Sequence, residues 1–330
     1  MRIIVVGPGF DYYRYFFEEI SNKYDYIYLS ENPIGKMKKS EIIGQFWAGK
    51  LHENCKKYIG EFIQAIGKYI EKQDDEIVLV FVRSPEFTCL LEYGLFAEIK
   101  DMYPKAKIVA FLGDIVEKYS FTSIDVIKQN TDMVVTSEYL DAQRFGIVHL
   151  PITPYKMVEN KPNRIVSDVY YCGAAKDRIT TIKNVAKQLV NSGLHIDFNI
   201  ARVDDEEKEE IEGVRYVSNL SYAENLKRLR KSRIILEVIQ GGGSGTSMRL
   251  QESIRFNKLL LTNNKYLYGH PLYSKNIIFF ENETIDVDKL RKMEPIDVGD
   301  IFRSQLDIDA FILYIITMLK EERNNGNTIV

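Results

Sequence analysis

The sequence predicts an α/β protein made of two domains, each a mainly parallel sheet with helices on its faces. Short apolar runs alternate with longer stretches of helical spacing through the first half of the chain. Three prolines then interrupt regular structure between Leu150 and Pro162, and beyond them the alternation starts again. Strands that alternate with helix-length patterns argue crossover connections and parallel pairing, and 330 residues are long for a single core. The predicted division is a domain over 1–150, a linker over 151–167, a second domain over 168–305 and a terminal helix over 306–330.

The first series of strands is Ile3–Val6, Tyr26–Leu29, Ile77–Val82, Ile108–Leu112 and Met133–Thr136, each an apolar run of the length expected for a strand buried on both faces. Between them, Asp11–Ser21, Cys55–Glu71, Glu86–Met102 and Ile115–Gln129 carry helical periodicity. The second series is Asp168–Cys172, Ile196–Ile200, Val214–Val217, Arg233–Val238 and Leu259–Thr262. Near the end, the apolar stretch 311–319 is too short to span a bilayer and belongs to an amphipathic helix. The acidic run Asp204–Glu210 reads as a solvated loop or helix face.

Composition excludes several classes. A formal net charge of −3 argues against a protein built around a nucleic-acid backbone. The three cysteines, Cys55, Cys89 and Cys172, lack CxxC spacing or histidine pairing, so neither a disulfide framework nor a zinc site is expected. The N-terminus runs directly into a strand with no signal-peptide pattern, so a cytoplasmic protein is expected. His52, His149, His195 and His270 form no pattern of a metal site or triad.

The most informative stretch is Gln240–Glu252. A strand-like run, Ile234–Ile239, passes through three consecutive glycines and Ser244, Gly245, Thr246 and Ser247 into a helical pattern over Met248–Phe256. Free backbone N–H groups and the positive end of the helix dipole favour anionic groups at such a junction, and three glycines are more than a turn alone is expected to need. Ser244, Thr246 and Ser247 are placed to cap the helix or to bind phosphate oxygens. Arg249 and Glu252 project from one helical face, which sets a cation by phosphates and a carboxylate by vicinal hydroxyls. A capping box is ruled out because Arg249 occupies the position where Ser or Thr would be required, whereas a salt bridge from Glu252 to Arg255 stays open.

Three stretches carry a resemblance: Tyr171–Arg178, Tyr216–Tyr222, and Ser232–Ile239 with the glycine loop and Arg249-Leu-Gln-Glu252. From the linker to about Phe280 the chain resembles bacterial glycosyltransferases of the GT-B architecture, two Rossmann-like α/β/α domains facing a central cleft, in particular those of capsule and lipopolysaccharide clusters. The resemblance implies that Glu252 binds the nucleotide ribose, that Arg249 with Gly243, Ser244, Gly245, Thr246 and Ser247 faces the diphosphate, and that Gly173, Lys176 and Arg178 form the opposing loop. Lys176 and Arg178 read equally well as exposed helix-start residues. The position eight before Glu252, a second glutamate in many retaining relatives, is Ser244 here, so the anomeric outcome stays open. In similar folds the terminal helix packs back on the first domain.

In the first domain, Gly7, Gly9 and Phe10 follow the first strand, but Tyr12 stands where a dinucleotide fingerprint requires its third glycine. With Arg83 and His270 they are candidate cleft-lining residues. Carboxylates after parallel strands are well placed for chemistry. Asp114 is the first candidate for a general base, which must be ionised to accept a proton from an acceptor hydroxyl, and Glu86 is the second; a helix cap explains Asp114 equally well. The expected activity is transfer of a sugar from a nucleotide-diphosphate donor to a surface polysaccharide or lipid-linked glycan. No metal, cofactor or nucleic acid is expected, and contact with the membrane surface is peripheral. A nucleotide-sugar epimerase and a non-catalytic nucleotide- or glycan-binding subunit are the alternatives.

Overall fold

The computed structural model describes residues 1–7, 11–29, 51–70, 76–82, 94–118, 123–156, 163–218 and 220–326, with backbone alone at 51–58, 118 and 322–326. Two compact units divide the chain, one formed by Met1–Lys156 with Leu306–Val330 and the other by Met157–Gln305. Each unit holds a six-stranded sheet in which every pairing is parallel.

The first unit contains β1 (Arg2–Val6), β2 (Asp25–Leu29), β3 (Ile77–Val82), β4 (Lys107–Leu112), β5 (Met133–Thr136) and β6 (Val148–His149), in the order β2-β1-β3-β4-β5-β6. Among the described residues its helices include α1 (Arg14–Phe17), α2 (Leu51–Gly67), α3 (Leu95–Met102), α4 (Ile124–Gln129) and α5 (Tyr139–Phe145). All six residues of β3 are buried, as a strand covered by helices on both faces requires. One face of the sheet meets Ile59, Phe62, Ile63 and Ile66 of α2, whose spacing forms a single helical stripe. Elsewhere in this unit Phe311, from the C-terminal helix Ile308–Gly326, lies against Phe17 and Phe111 at ring distances of 5.6 and 6.3 Å. Tyr314 of the same helix donates to the His149 carbonyl at 2.6 Å.

Two expected helices are shorter than their periodicity suggests. Over Asp11–Ser21 a 3-10 turn, Asp11–Tyr13, leads into the single turn of α1. The Tyr26 hydroxyl donates to the Phe17 carbonyl at 2.6 Å and takes the acceptor that a further turn would use. Over Ile115–Gln129 a 3-10 turn, Val116–Lys118, precedes α4, which Ser123 starts by accepting from the Val126 N–H.

The second unit contains β7 (Ser167–Ala174), β8 (Ile196–Ala201), β9 (Val214–Val217), β10 (Ser232–Glu237), β11 (Leu259–Thr262) and β12 (Ile277–Phe279), in the order β12-β11-β10-β7-β8-β9. Helices α6 (Ile179–Asn191), α7 (Tyr222–Leu229) and α8 (Met248–Arg255) follow β7, β9 and β10. The buried stripe of α6, Ile179, Ile182, Val185, Ala186 and Leu189, joins the inward residues of β7, β8 and β10 in one core. The acidic run forms an exposed turn, and its Asp205 and Glu209 pair with Lys208 and Lys187.

The strand orders locate the positions where a parallel sheet admits a ligand. β7 and β10 are neighbours, yet the chain leaves β7 toward β8 and leaves β10 toward β11 on the other side. Loops diverge at such a switch point and open a crevice beyond the strand C-termini. The same reasoning marks the ends of β1 and β3 in the first unit.

Candidate functional site

At the β7/β10 switch point, four consecutive residues of β7 each hold part of the site. Tyr170 donates through its hydroxyl to Asn225 Oδ1 at 2.9 Å. The Tyr171 ring lies beneath the Arg249 guanidinium, 5.1 Å from ring centroid to Cζ. The Cys172 carbonyl accepts from Arg249 Nη2. Gly173 carries no side chain, and a Cβ there would collide with the same guanidinium.

The glycine loop is fixed at both ends. Asn263 Oδ1 accepts from the Ile239 N–H at 2.9 Å and Asn264 Nδ2 donates to the Gly245 carbonyl at 3.1 Å, so the residues after β11 clamp the loop after β10. The Gly243 N–H closes a turn on the Gln240 carbonyl at 3.0 Å. Each glycine of the triplet meets a local demand. Asp177 Oδ2 accepts from the Gly241 N–H at 2.6 Å and would crowd a Cβ there, Gly242 has a φ of 78°, and a Cβ on Gly243 would lie 3.1 Å from the Gln240 carbonyl. The triplet therefore follows from the turn itself, and the expectation that so many glycines signal a ligand is not needed to explain them.

Ser247 is the N-cap of α8 and accepts from the N–H groups of Arg249 and Leu250. Its hydroxyl donates to Glu237 Oε1, and Thr262 donates to Glu237 Oε2. Glu237 is buried, and burial raises its pKa against the opposing effect of these two donors. Ser244 is buried as well. Thr246 Oγ1 lies 3.3 Å from His270 Nε2. His270 Nδ1 accepts from the Leu272 N–H at 3.0 Å, which leaves the ring proton on Nε2 of the neutral form.

Arg249 and Glu252 share the face of α8 turned to β7. Glu252 is 3 % exposed. Its Oε1 accepts from the Tyr222 hydroxyl at 2.8 Å and from Asn225 Nδ2 at 3.0 Å, and its Oε2 accepts from none of the described residues. Burial pushes its pKa up to about 7, although Tyr222, Arg249 and Asn225 all favour the ionised form. Burial also opposes the charge of Arg249, but Tyr171, Glu252, Cys172 and Glu237 outweigh it and its pKa is raised. The buried Arg249 Nε has no hydrogen-bond partner among the described residues. The open bridge from Glu252 to Arg255 is not formed.

The opposing loop divides its cations. Arg178 spends its guanidinium on the carbonyls of Val238 at 2.6 Å, Ala174 at 2.7 Å and Ala175 at 3.4 Å, so it ties β7 to β10. Lys176 stands at a φ of 49° and donates to Gln240 Oε1 at 2.9 Å. Sequence reasoning missed Tyr222, Asn225, Tyr170 and Glu237. Tyr222 ends one of the stretches that carry the resemblance, but nothing in its spacing points at Glu252 from another element.

In the first unit, Gly7 follows β1 at the switch point, where a Cβ would lie 2.6 Å from the Tyr28 hydroxyl oxygen. Asp114 follows β4 and accepts from the Ile115 N–H at 2.9 Å. The turn that follows is held from α5, where the buried Asp141 accepts from the Val116 N–H at 2.7 Å. Gly9, Phe10, Arg83 and Glu86 lie outside the described residues. Among the described residues no group of His, Cys, Asp and Glu has the arrangement of a metal site, and no helix is long and apolar enough to cross a membrane.

Neither a protein-family model nor a curated protein sequence matches the chain. Among solved structures, the chain is similar to an alpha-glucosyltransferase in complex with UDP-glucose and DNA containing an abasic site, with 10% sequence identity and a TM-score of 0.60 over 97% of this chain and 99% of that one. A second similar structure, an alpha-glucosyltransferase in complex with UDP and a 13-mer DNA containing a HMU base, has 9% identity and a TM-score of 0.57 over the same shares. At such identity the likeness is one of fold: the chain has the GT-B fold class, with two Rossmann-like α/β domains.

Proposed function

We propose that the protein is a glycosyltransferase that moves a sugar from a nucleotide-diphosphate donor to a surface polysaccharide or a lipid-linked glycan. The observation that carries the reading is the pair on α8. A buried guanidinium nitrogen and a carboxylate oxygen, both without partners among the described residues, stand together at a switch point beside the start of a helix. A nucleoside diphosphate offers what each lacks, with phosphate oxygens for Arg249 and ribose hydroxyls for Glu252.

In this reading Arg249 and the N-terminus of α8 stabilise the charge that develops on the departing diphosphate. Asp114 or Glu86 accepts the proton from the acceptor hydroxyl as its oxygen attacks the anomeric carbon. Cationic side chains and the helix end serve in place of a divalent ion. The work takes place in the cytoplasm or at the inner face of the membrane, in assembly of capsule or lipopolysaccharide.

Titration calorimetry with UDP, GDP, ADP and dTDP tests the donor half. Arg249→Ala and Glu252→Ala are each expected to weaken binding by about 1–3 kcal/mol, the scale of a lost hydrogen bond to a charged group. Unchanged affinity in both folded variants would sink the assignment. Incubation of the donor sugar alone separates transfer from epimerisation, since an epimer formed without acceptor overturns the transferase reading. Acceptor assays pair a lipid-linked glycan with DNA, which is present in both similar structures, and transfer to DNA alone would replace the glycan.

A further inference from the structure

Glu252 is held by a chain of side chains that reaches back to the same strand that holds Arg249. We infer that Asn225, oriented by Tyr170, is a positioning residue that turns Glu252 toward the donor ribose and so sets discrimination between ribose and deoxyribose. The inference rests on the donor reading above.

A carboxamide has two ends of opposite character, and only its partners decide which way it faces. Here the Tyr170 hydroxyl donates to Oδ1 at 2.9 Å, so the oxygen end faces β7. The amino end must then face Glu252, where Nδ2 donates to Oε1 at 3.0 Å. The opposite orientation would set the amide oxygen against a carboxylate and the amino group against the tyrosine. All three groups are buried, with Tyr170 at 1 %, Asn225 at 8 % and Glu252 at 3 % exposure, so water cannot readily replace a lost partner.

Tyr222 and Asn225, one turn apart on α7, direct both donors to the same oxygen of Glu252. A carboxylate fixed through one oxygen has its second oxygen in a set direction, which is the geometry that a vicinal diol needs. Tyr170 and Cys172 lie two apart on β7, one fixing Glu252 through Asn225 and the other fixing Arg249 directly. The strand thereby sets the spacing between the ribose group and the diphosphate group, and each can be probed separately.

The test uses the full chain and whichever of UDP, GDP or ADP binds most tightly, its 2′-deoxy counterpart, and inorganic pyrophosphate. Calorimetry is run on the wild type, Asn225→Leu, Tyr170→Phe and Glu252→Gln. The wild type is expected to prefer the ribonucleotide by about tenfold, the scale of one hydrogen bond to a charged group. In Asn225→Leu the preference falls toward unity while pyrophosphate affinity is unchanged, and Tyr170→Phe gives an intermediate loss. A preference retained in both variants overturns the inference. So does a parallel loss of pyrophosphate binding, which marks a role in the scaffold alone. Should Asn225→Leu fail to fold, Tyr170→Phe, which removes a single oxygen, decides the matter. Failure of the donor reading itself looks different, because the wild type then binds neither nucleotide nor pyrophosphate, or Glu252→Gln leaves the preference intact; either result removes this inference too.

Discussion

At Glu252, burial and hydrogen bonding pull in opposite directions. Burial raises its pKa to about 7, while Tyr222, Arg249 and Asn225 support the ionised form without fully restoring it. In the unfolded chain a glutamate titrates near ~4.3, so between that value and 7 the folded protein keeps a proton that the unfolded chain has lost. The linked stability is complete below the lower value and is lost as pH rises through the upper one. Ligand binding runs the other way, because ribose hydroxyls donate best to an ionised carboxylate. The melting temperature of the unligated protein is therefore expected to fall between pH 5 and 8 while nucleotide affinity rises. Both slopes should be shallower in Glu252→Gln, and thermal melts and calorimetry across that range check the sign. Arg249 and Glu252 were legible in the sequence because a spacing of three fixes a shared helical face. Their holders were not, since Asn225 and Tyr170 come from other elements and only the assembled sheet brings them together. Arg178 shows the converse, for its charge is plain in the sequence but the carbonyls that absorb it are not.

Among the elements, α8 starts on a single capping side chain. Ser247 accepts from two N–H groups of its first turn and also donates to the buried Glu237. Ser247→Ala removes the cap, at a cost of about 1–2 kcal/mol for a well-formed one, and deprives Glu237 of a donor. Urea denaturation is expected to show a loss of at least that size, and an unchanged midpoint would show that the cap contributes nothing. The helix itself was legible from its periodicity. Its capping residue was one of three hydroxyls the sequence offered, and the choice among them was settled by Glu237 and Thr262 on neighbouring strands. The N-terminal aromatic segment shows how periodicity misleads, since Tyr12, Tyr13, Phe16 and Phe17 form a compact ring cluster around a helix of one turn.

Across the whole molecule, the sheets were legible because central parallel strands are apolar throughout, whereas β6 and β12, of two and three residues, are too short to leave a pattern. The first unit is discontinuous, and the C-terminal helix supplies Phe311, fully buried against rings from two other elements. Phe311→Ala is expected to cost about 3–5 kcal/mol. Scanning calorimetry should show that loss in the transition of the first unit, and a fall confined to the second would contradict the division at Gln305. A ribosome delivers this chain from one end, so the opening half of the protein emerges long before the helix that covers Phe17 and Phe111 has been made. The unit begun first is thus completed only after the intervening one has all its residues, and Phe17 and Phe111 lack the ring that covers them until Phe311 has been made.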